Sequence, residues 1–182
     1  MKKYLSSALC PSFLILCLVC SACDTTVIKT DNTTPTNADA LTIPKIFEIA
    51  KQTSGYTWYK RSDVYLARNV KSGHAEPLER TRYDATAATQ LDANGKVKEG
   101  AVFPEGSTIV KELVTSDRVI NGYALMIKRK ADPSADADGW VWGYVTAAGA
   151  ERHPLASKGN GCIDCHSIAG HINRTLMNVS NP

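Results

Sequence analysis

Thr108-Ile109-Val110-Lys111-Glu112-Leu113-Val114, Tyr123-Ala124-Leu125-Met126-Ile127-Lys128-Arg129 and Trp140-Val141-Trp142-Gly143-Tyr144-Val145-Thr146 are three runs rich in β-branched and aromatic residues, joined by polar connectors at 115–121 and 131–139. Connectors this short cannot hold a crossover helix, so the runs predict an antiparallel meander. Side chains alternate across a strand. Tyr123, Leu125 and Ile127 therefore share one face of the second run, and Trp140, Trp142 and Tyr144 one face of the third. Lys111 falls between Ile109 and Leu113 on a strand face, which is awkward for an ammonium unless it meets solvent or a partner.

Upstream of the meander the pattern is less regular. Asp92-Ala93-Asn94-Gly95 is a turn signal, Asp84 can cap a short helix through Leu91, and Arg80 to Tyr83 suits a strand. Asn69 to Pro77, with Gly73, reads as loop, and Tyr56 to Tyr59 is a short aromatic stretch. Ile43, Ile46, Phe47, Ile49 and Ala50 recur at helical spacing behind a cap at Thr42 and Pro44 in the first turn, with Ser54-Gly55 as the stop. Helix and strand are segregated along the chain. The expected class is α+β, an antiparallel sheet with flanking helices.

The first residues predict targeting. Lys2-Lys3 precede an apolar stretch, Leu5 to Val19, that is too short to span a bilayer, and Ser21-Ala22-Cys23 has the form used in bacterial lipoprotein processing. Residues 1–22 are thus expected to be a signal peptide, with Cys23 lipidated as the new N-terminus; ordinary secretion with cleavage near Ala22 is the alternative. Both export the chain. It is expected on the periplasmic side of a bacterial membrane, lipid-anchored, or else soluble in the periplasm. Residues 23–40, rich in Thr, Asn, Asp and Ala, predict a flexible tether, which leaves 41–182 as one domain.

Of the formal charge of +3 over 182 residues, Lys2 and Lys3 supply two, so the chain without its leader is near +1. No basic run with interleaved aromatics supports nucleic-acid binding. Of the six cysteines, Cys10, Cys17 and Cys20 leave with the signal and Cys23 takes the lipid, so Cys162 and Cys165 remain. A disulfide across two intervening residues would close a tiny loop and stabilise little.

Cys162-Ile163-Asp164-Cys165-His166 is C-x-x-C-H, the attachment signature for c-type haem. Two thiols one helical turn apart can meet the two vinyl groups of one porphyrin as thioethers, and the next residue then presents its imidazole to the iron. Gly159 and Gly161 would let the backbone approach the haem edge. A zinc site would need a second ligand pair, and no second cysteine pair exists. The expected cofactor is therefore one covalent haem c, with His166 as the metal ligand. Its two ionised propionates would bring the assembly to about neutral or slightly negative. Met177, Met126, His74, His153 and His171 are candidates for a sixth ligand, and a five-coordinate iron with an open face is the other expectation.

With this motif behind a sheet, the chain resembles the cytochrome P-460 family. The resemblance runs from about Tyr56 to His171. It is carried by Phe103-Pro104-Glu105-Gly106-Ser107-Thr108-Ile109-Val110-Lys111-Glu112, Arg80-Thr81-Arg82-Tyr83, Gly122 to Arg129, Gly139-Trp140 and the haem motif. It implies an antiparallel sheet over the haem. In catalytic members, which oxidise hydroxylamine and related nitrogen species, a lysine is also bonded to the porphyrin; Lys111 matches it by position, and Arg80 matches a distal-pocket arginine. Relatives without that crosslink, the cytochromes c prime-beta, bind nitric oxide.

Taken alone, Lys111 equally suits a lysine paired with a neighbouring acid, and Arg80 a surface salt bridge. Catalytic members also use a distal carboxylate. Here the stretch after Ile127 reads Lys128-Arg129-Lys130, with Asp132, Asp136 and Asp138 as the nearest acids. The expected partners are a small nitrogen-containing ligand, a redox protein and, through Cys23, a membrane. A homodimer stays open, as does an electron carrier with a six-coordinate haem.

Overall fold

The computed structural model describes residues 40–70 and 72–182. The expected signal peptide, Cys23 and all of the expected tether except Ala40 lie outside the described residues. Helix α1 (Ile43–Lys51) starts at Thr42, whose hydroxyl accepts the Lys45 amide at 3.5 Å, and Ile46 and Ala50, one turn apart, are fully buried. It ends before Ser54-Gly55, because Gln52 turns extended and gives its carbonyl to Arg82 at 2.9 Å.

Six antiparallel strands form one sheet, and the fold is α+β. They are β1 (Thr57–Trp58), β2 (Leu66–Ala67), β3 (Leu78–Tyr83), β4 (Thr108–Val114), β5 (Ile120–Lys128) and β6 (Trp140–Thr146). The order is β1-β3-β4-β5-β6, with β2 pairing the other end of the same β3 edge. β4, β5 and β6 form the meander expected from their short connectors. The helix expected from Asp84 to Leu91 is a single turn, α2 (Ala85–Ala88), capped by the Asp84 carboxylate on the Ala87 amide. It stops early because Leu91 bridges back to Val97 around the Asp92–Gly95 turn.

Both faces of the sheet are buried. Val110, Leu125, Val141 and Val145 pack under α1 with Ile46 and Ala50. The approach is close: a Cβ at Gly143 would stand 2.8 Å from Ile46. On the opposite face Tyr83, Ile109, Met126, Trp140 and Trp142 pack with Phe103 and Met177. Cross-strand pairing aligns Tyr83, Ile109, Met126 and Trp142 in one row and Thr81, Lys111, Ala124 and Tyr144 in the next. The second row is built from polar and small residues rather than bulk.

The α1 face also buries charge. Glu112 accepts from Arg80 and from Arg82, each at 2.5 Å, and Arg82 is wholly buried. Arg82 also donates to the Ala50 carbonyl, closing the C-terminal turn of α1, where carbonyls lack helical partners. Burial pulls the Arg82 guanidinium below its ordinary range, and Glu112 opposes that shift. Arg80 lies over the Trp58 and Tyr65 rings, 4.5 and 4.6 Å from their centres. Removing the shared carboxylate strands a buried cation, so Glu112→Ala should destabilise the fold by about 3–5 kcal/mol, measured by urea denaturation; a loss below about 1 kcal/mol would show that the triad does not bear on stability.

Candidate functional site

A cavity of about 290 Å³ opens on the face away from α1. Thr81, Tyr83, Ile109, Lys111, Met126 and Trp142 line it from the sheet; His74 on the 69–77 loop and Cys162, Cys165, His166 and Met177 from the C-terminal segment complete the wall. The meander and the cysteine motif, separate in sequence, thus meet in one chamber.

The motif sits on α3 (Ile163–His166), one turn in which the His166 amide donates to the Cys162 carbonyl at 3.1 Å. Cys162 is half-buried and Cys165 exposed. A single turn does not hold itself in water, so the surroundings fix the imidazole. His166 Nδ1 stands 2.7 Å from the Arg174 carbonyl oxygen. A carbonyl only accepts, so Nδ1 carries the hydrogen and Nε2 keeps its lone pair. The Trp142 ring meets the imidazole edge-on at 4.8 Å, and its indole N–H donates to Asp136 at 2.8 Å. Burial lowers the His166 pKa to about 4, partly opposed by the Arg174 hydrogen bond. The ring is therefore neutral at physiological pH.

Arg174 belongs to a tight turn. Ile172 and Thr175 exchange backbone hydrogen bonds at 3.0 and 2.8 Å, and Asn173 and Arg174 both take positive φ, 46° and 71°. That is a type I′ geometry, which Asn favours and Arg does not. The turn is pinned from both sides: Asn173 Oδ1 accepts the Phe103 amide at 3.0 Å, and the Arg174 guanidinium pairs with Asp138 at 2.7 Å. Sequence reasoning missed this support, and Asn173 was its one visible signal.

Lys111 lines the cavity and pairs with Glu79 at 3.0 Å, a carboxylate whose side chain is 1 % exposed. The Asn181 amide also reaches Glu79, at 3.4 Å. Glu79 drew no notice in the sequence because its link to Lys111 depends on the β3–β4 register. Arg80 is placed differently from its expected role. Strand alternation turns Thr81 and Tyr83 toward the cavity and Arg80 and Arg82 toward α1, so Arg80 stands across the sheet from His166 and serves Glu112. Arg80 does not line the cavity, which does not fit the distal role that the resemblance implies.

None of Asp132, Asp136 and Asp138 lines the cavity. Asp132 accepts the Leu41 amide, Asp136 holds Trp142, and Asp138 holds Arg174. Of the sixth-ligand candidates, Met126, Met177, His74 and His153 line the cavity, whereas His171 is exposed and accepts the Arg174 amide at 3.3 Å. The Thr81 hydroxyl donates to Met177 Sδ at 3.2 Å. His74 packs edge-on against Tyr144 at 5.6 Å; burial, then Lys111 and His166, push its pKa down to about 3. Gly159, expected to face a haem edge, instead has φ +75° with Trp142 pressed where a Cβ would stand.

No protein family, curated protein or solved structure gives a match to this chain. Among the described residues no group of three or more His, Cys, Asp or Glu side chains could cage a bare metal ion. A neutral imidazole with a free Nε2 and two unbridged thiols on the same short segment instead suit a metal delivered inside a covalently held macrocycle.

The two half-buried histidines give the haem-free chain a pH signature. Their folded pKa values, about 3 and about 4, lie below the ordinary value near 6.5. The unfolded chain thus binds more protons between those limits, and stability falls as pH drops through that window. Urea denaturation of the haem-free protein should show a stability loss of a little over about 1 kcal/mol per pH unit for each histidine between pH 6 and 4. His74→Asn should remove about half of that slope; an unchanged slope would mean His74 is not buried as described.

Proposed function

We propose that the chain is an exported c-type haem protein of cytochrome P-460 kind that binds small nitrogen species such as hydroxylamine or nitric oxide in the cavity, with hydroxylamine oxidation as the activity to test. The observation that carries it is the orientation of His166: neutral, Nδ1 committed to Arg174, Nε2 available on a wall shared with Cys162 and Cys165. Metal-bound histidines are commonly held this way, by a carbonyl on the second nitrogen. When bound, the haem would supply an iron centre for ligand binding and electron transfer.

The chain's own residues have separable tasks in this reading. Cys162 and Cys165 form the thioethers, and His166 holds the metal. Trp142, anchored by Asp136, fixes the imidazole plane. Lys111 is engaged by Glu79 at 3.0 Å, so a bond from its nitrogen to a porphyrin would require that ion pair to be broken first. This supports a free Lys111 over a crosslinked one.

An electron-transfer cytochrome is the second reading. It is favoured by His74, Met126 and Met177 on the cavity wall, any of which would close a six-coordinate haem. A non-catalytic nitric oxide binder is the third. A redox partner protein and a lipid anchor at Cys23 complete the proposal, which places the chain at the periplasmic side of a membrane.

Matured in a host with cytochrome-c assembly, the protein should gain the mass of one haem, and Cys162→Ala with Cys165→Ala together should lose it. His166→Ala should keep the covalent haem with an altered spectrum. Lys111 should run as an ordinary peptide in a digest of the holoprotein. Colourless protein at apoprotein mass would end the proposal; a high-spin spectrum that responds to nitric oxide without hydroxylamine consumption would select the binder.

A further inference from the structure

We propose that Tyr83 is a hydrogen-bond donor to the group bound in the cavity, offering its phenol O–H to an acceptor atom of that group; this rests on the haem reading above. Tyr83 is 0 % exposed and lines the cavity, and among the described residues its hydroxyl has no hydrogen-bond partner. Buried hydroxyls are normally satisfied. Its ring is held in place: it stacks on Phe103 at 6.2 Å and 10°, and Phe103 in turn meets Trp140 edge-on at 5.8 Å.

The neighbouring polar groups that β3 and β4 present to the chamber are already committed. The Thr81 hydroxyl donates to Met177, and the Lys111 ammonium donates to Glu79. Tyr83 is the remaining donor that β3 and β4 present to this chamber. Burial raises its pKa far above the usual phenol range, so it stays protonated and donates. The other cavity-lining group with an unpartnered buried atom, His153 Nε2, is on a half-exposed residue, and its role as donor or acceptor depends on the tautomer. A phenol position needed only for packing would serve equally as phenylalanine, since the stack on Phe103 uses the ring alone.

Two acceptors have the required chemistry: a small diatomic or hydroxylamine-like ligand, and a carboxylate of the porphyrin itself. Tyr83→Phe keeps the ring and deletes the donor, and carbon monoxide on the reduced holoprotein reports a hydrogen bond through its stretching frequency. A higher C–O frequency in Y83F, with release about fivefold faster for the loss of one neutral hydrogen bond, assigns the donor to the ligand. An unchanged C–O band with a shifted reduction potential assigns it to the porphyrin carboxylate. In both cases the melting temperature should hold or rise.

A variant with the same C–O band and the same potential overturns the proposal. So does one that melts markedly lower with both unchanged, because the hydroxyl then has only a structural partner. If Y83F fails to load haem, the wild-type protein still decides: deuterium exchange must shift either the C–O band or the carboxylate bending modes, and no shift in either overturns it. Wild-type protein that takes up no haem fails differently, since it removes the haem reading and this inference with it.

Discussion

Strand β4 is buried on both faces, and its two consecutive charges, Lys111 and Glu112, therefore point into opposite interiors. Each meets its counter-charge on β3: Glu79 on the cavity side, Arg80 and Arg82 on the α1 side. A slip of one residue between β3 and β4 would turn every one of these groups to the wrong face and leave buried charges unpaired. Hydrophobic bulk alone would not discriminate so sharply here, because both faces accept valine, isoleucine and leucine. The alternating ion pairs fix the register, and the register decides which side chains reach the chamber.

The same constraint makes one row of the chamber polar. Ile109, Met126 and Trp142 form an apolar row, while the Lys111 row pairs with Thr81, Ala124 and Tyr144. Small and polar residues there leave space that large apolar ones would fill. The cavity is thus a product of strand composition, closed by the C-terminal segment. That segment has little regular structure of its own: α3 and α4 (Met177–Ser180) are four residues each. It is held by tertiary ties, among them Tyr59 to the Asn181 carbonyl at 2.8 Å and Asn178 to the Val97 carbonyl at 2.7 Å.

Much of the fold was legible because the deciding signals are local. Connector length predicted the meander, and Thr42 with Pro44 predicted the start of α1. The helix after Asp84 was overextended because its stop is a tertiary bridge, Leu91 to Val97, that no local residue announces. The site divided along the same line. Cys162, Cys165 and His166 are contiguous, so their spacing alone brought them to notice, and the structure sets them on one cavity with Lys111. Arg80 was drawn toward that cavity by motif position, yet face assignment follows parity against Lys111: they oppose Glu112 and Thr81 respectively, and so lie on different sides. Glu79 and the Asn173-Arg174 turn were invisible for the converse reason, since each matters only through a partner far along the chain.

The Arg174 carbonyl shows why such supports cannot be spelled out by a motif. A backbone oxygen has no side-chain identity, so any residue could supply it, provided the turn is forced into the right shape. Here that forcing is visible. Two consecutive residues with positive φ, neither of them glycine, are held by the Phe103 amide at one end and Asp138 at the other. Asp138 comes from the β5–β6 connector and Trp142 from β6 itself, so that hairpin supplies one of the two contacts on the imidazole and one of the two ties on the turn that supplies the other. The sheet thereby helps to set the histidine's tautomer and its plane together, and a C-x-x-C-H segment on a one-turn helix owes its defined imidazole to tertiary contacts rather than to its own helix.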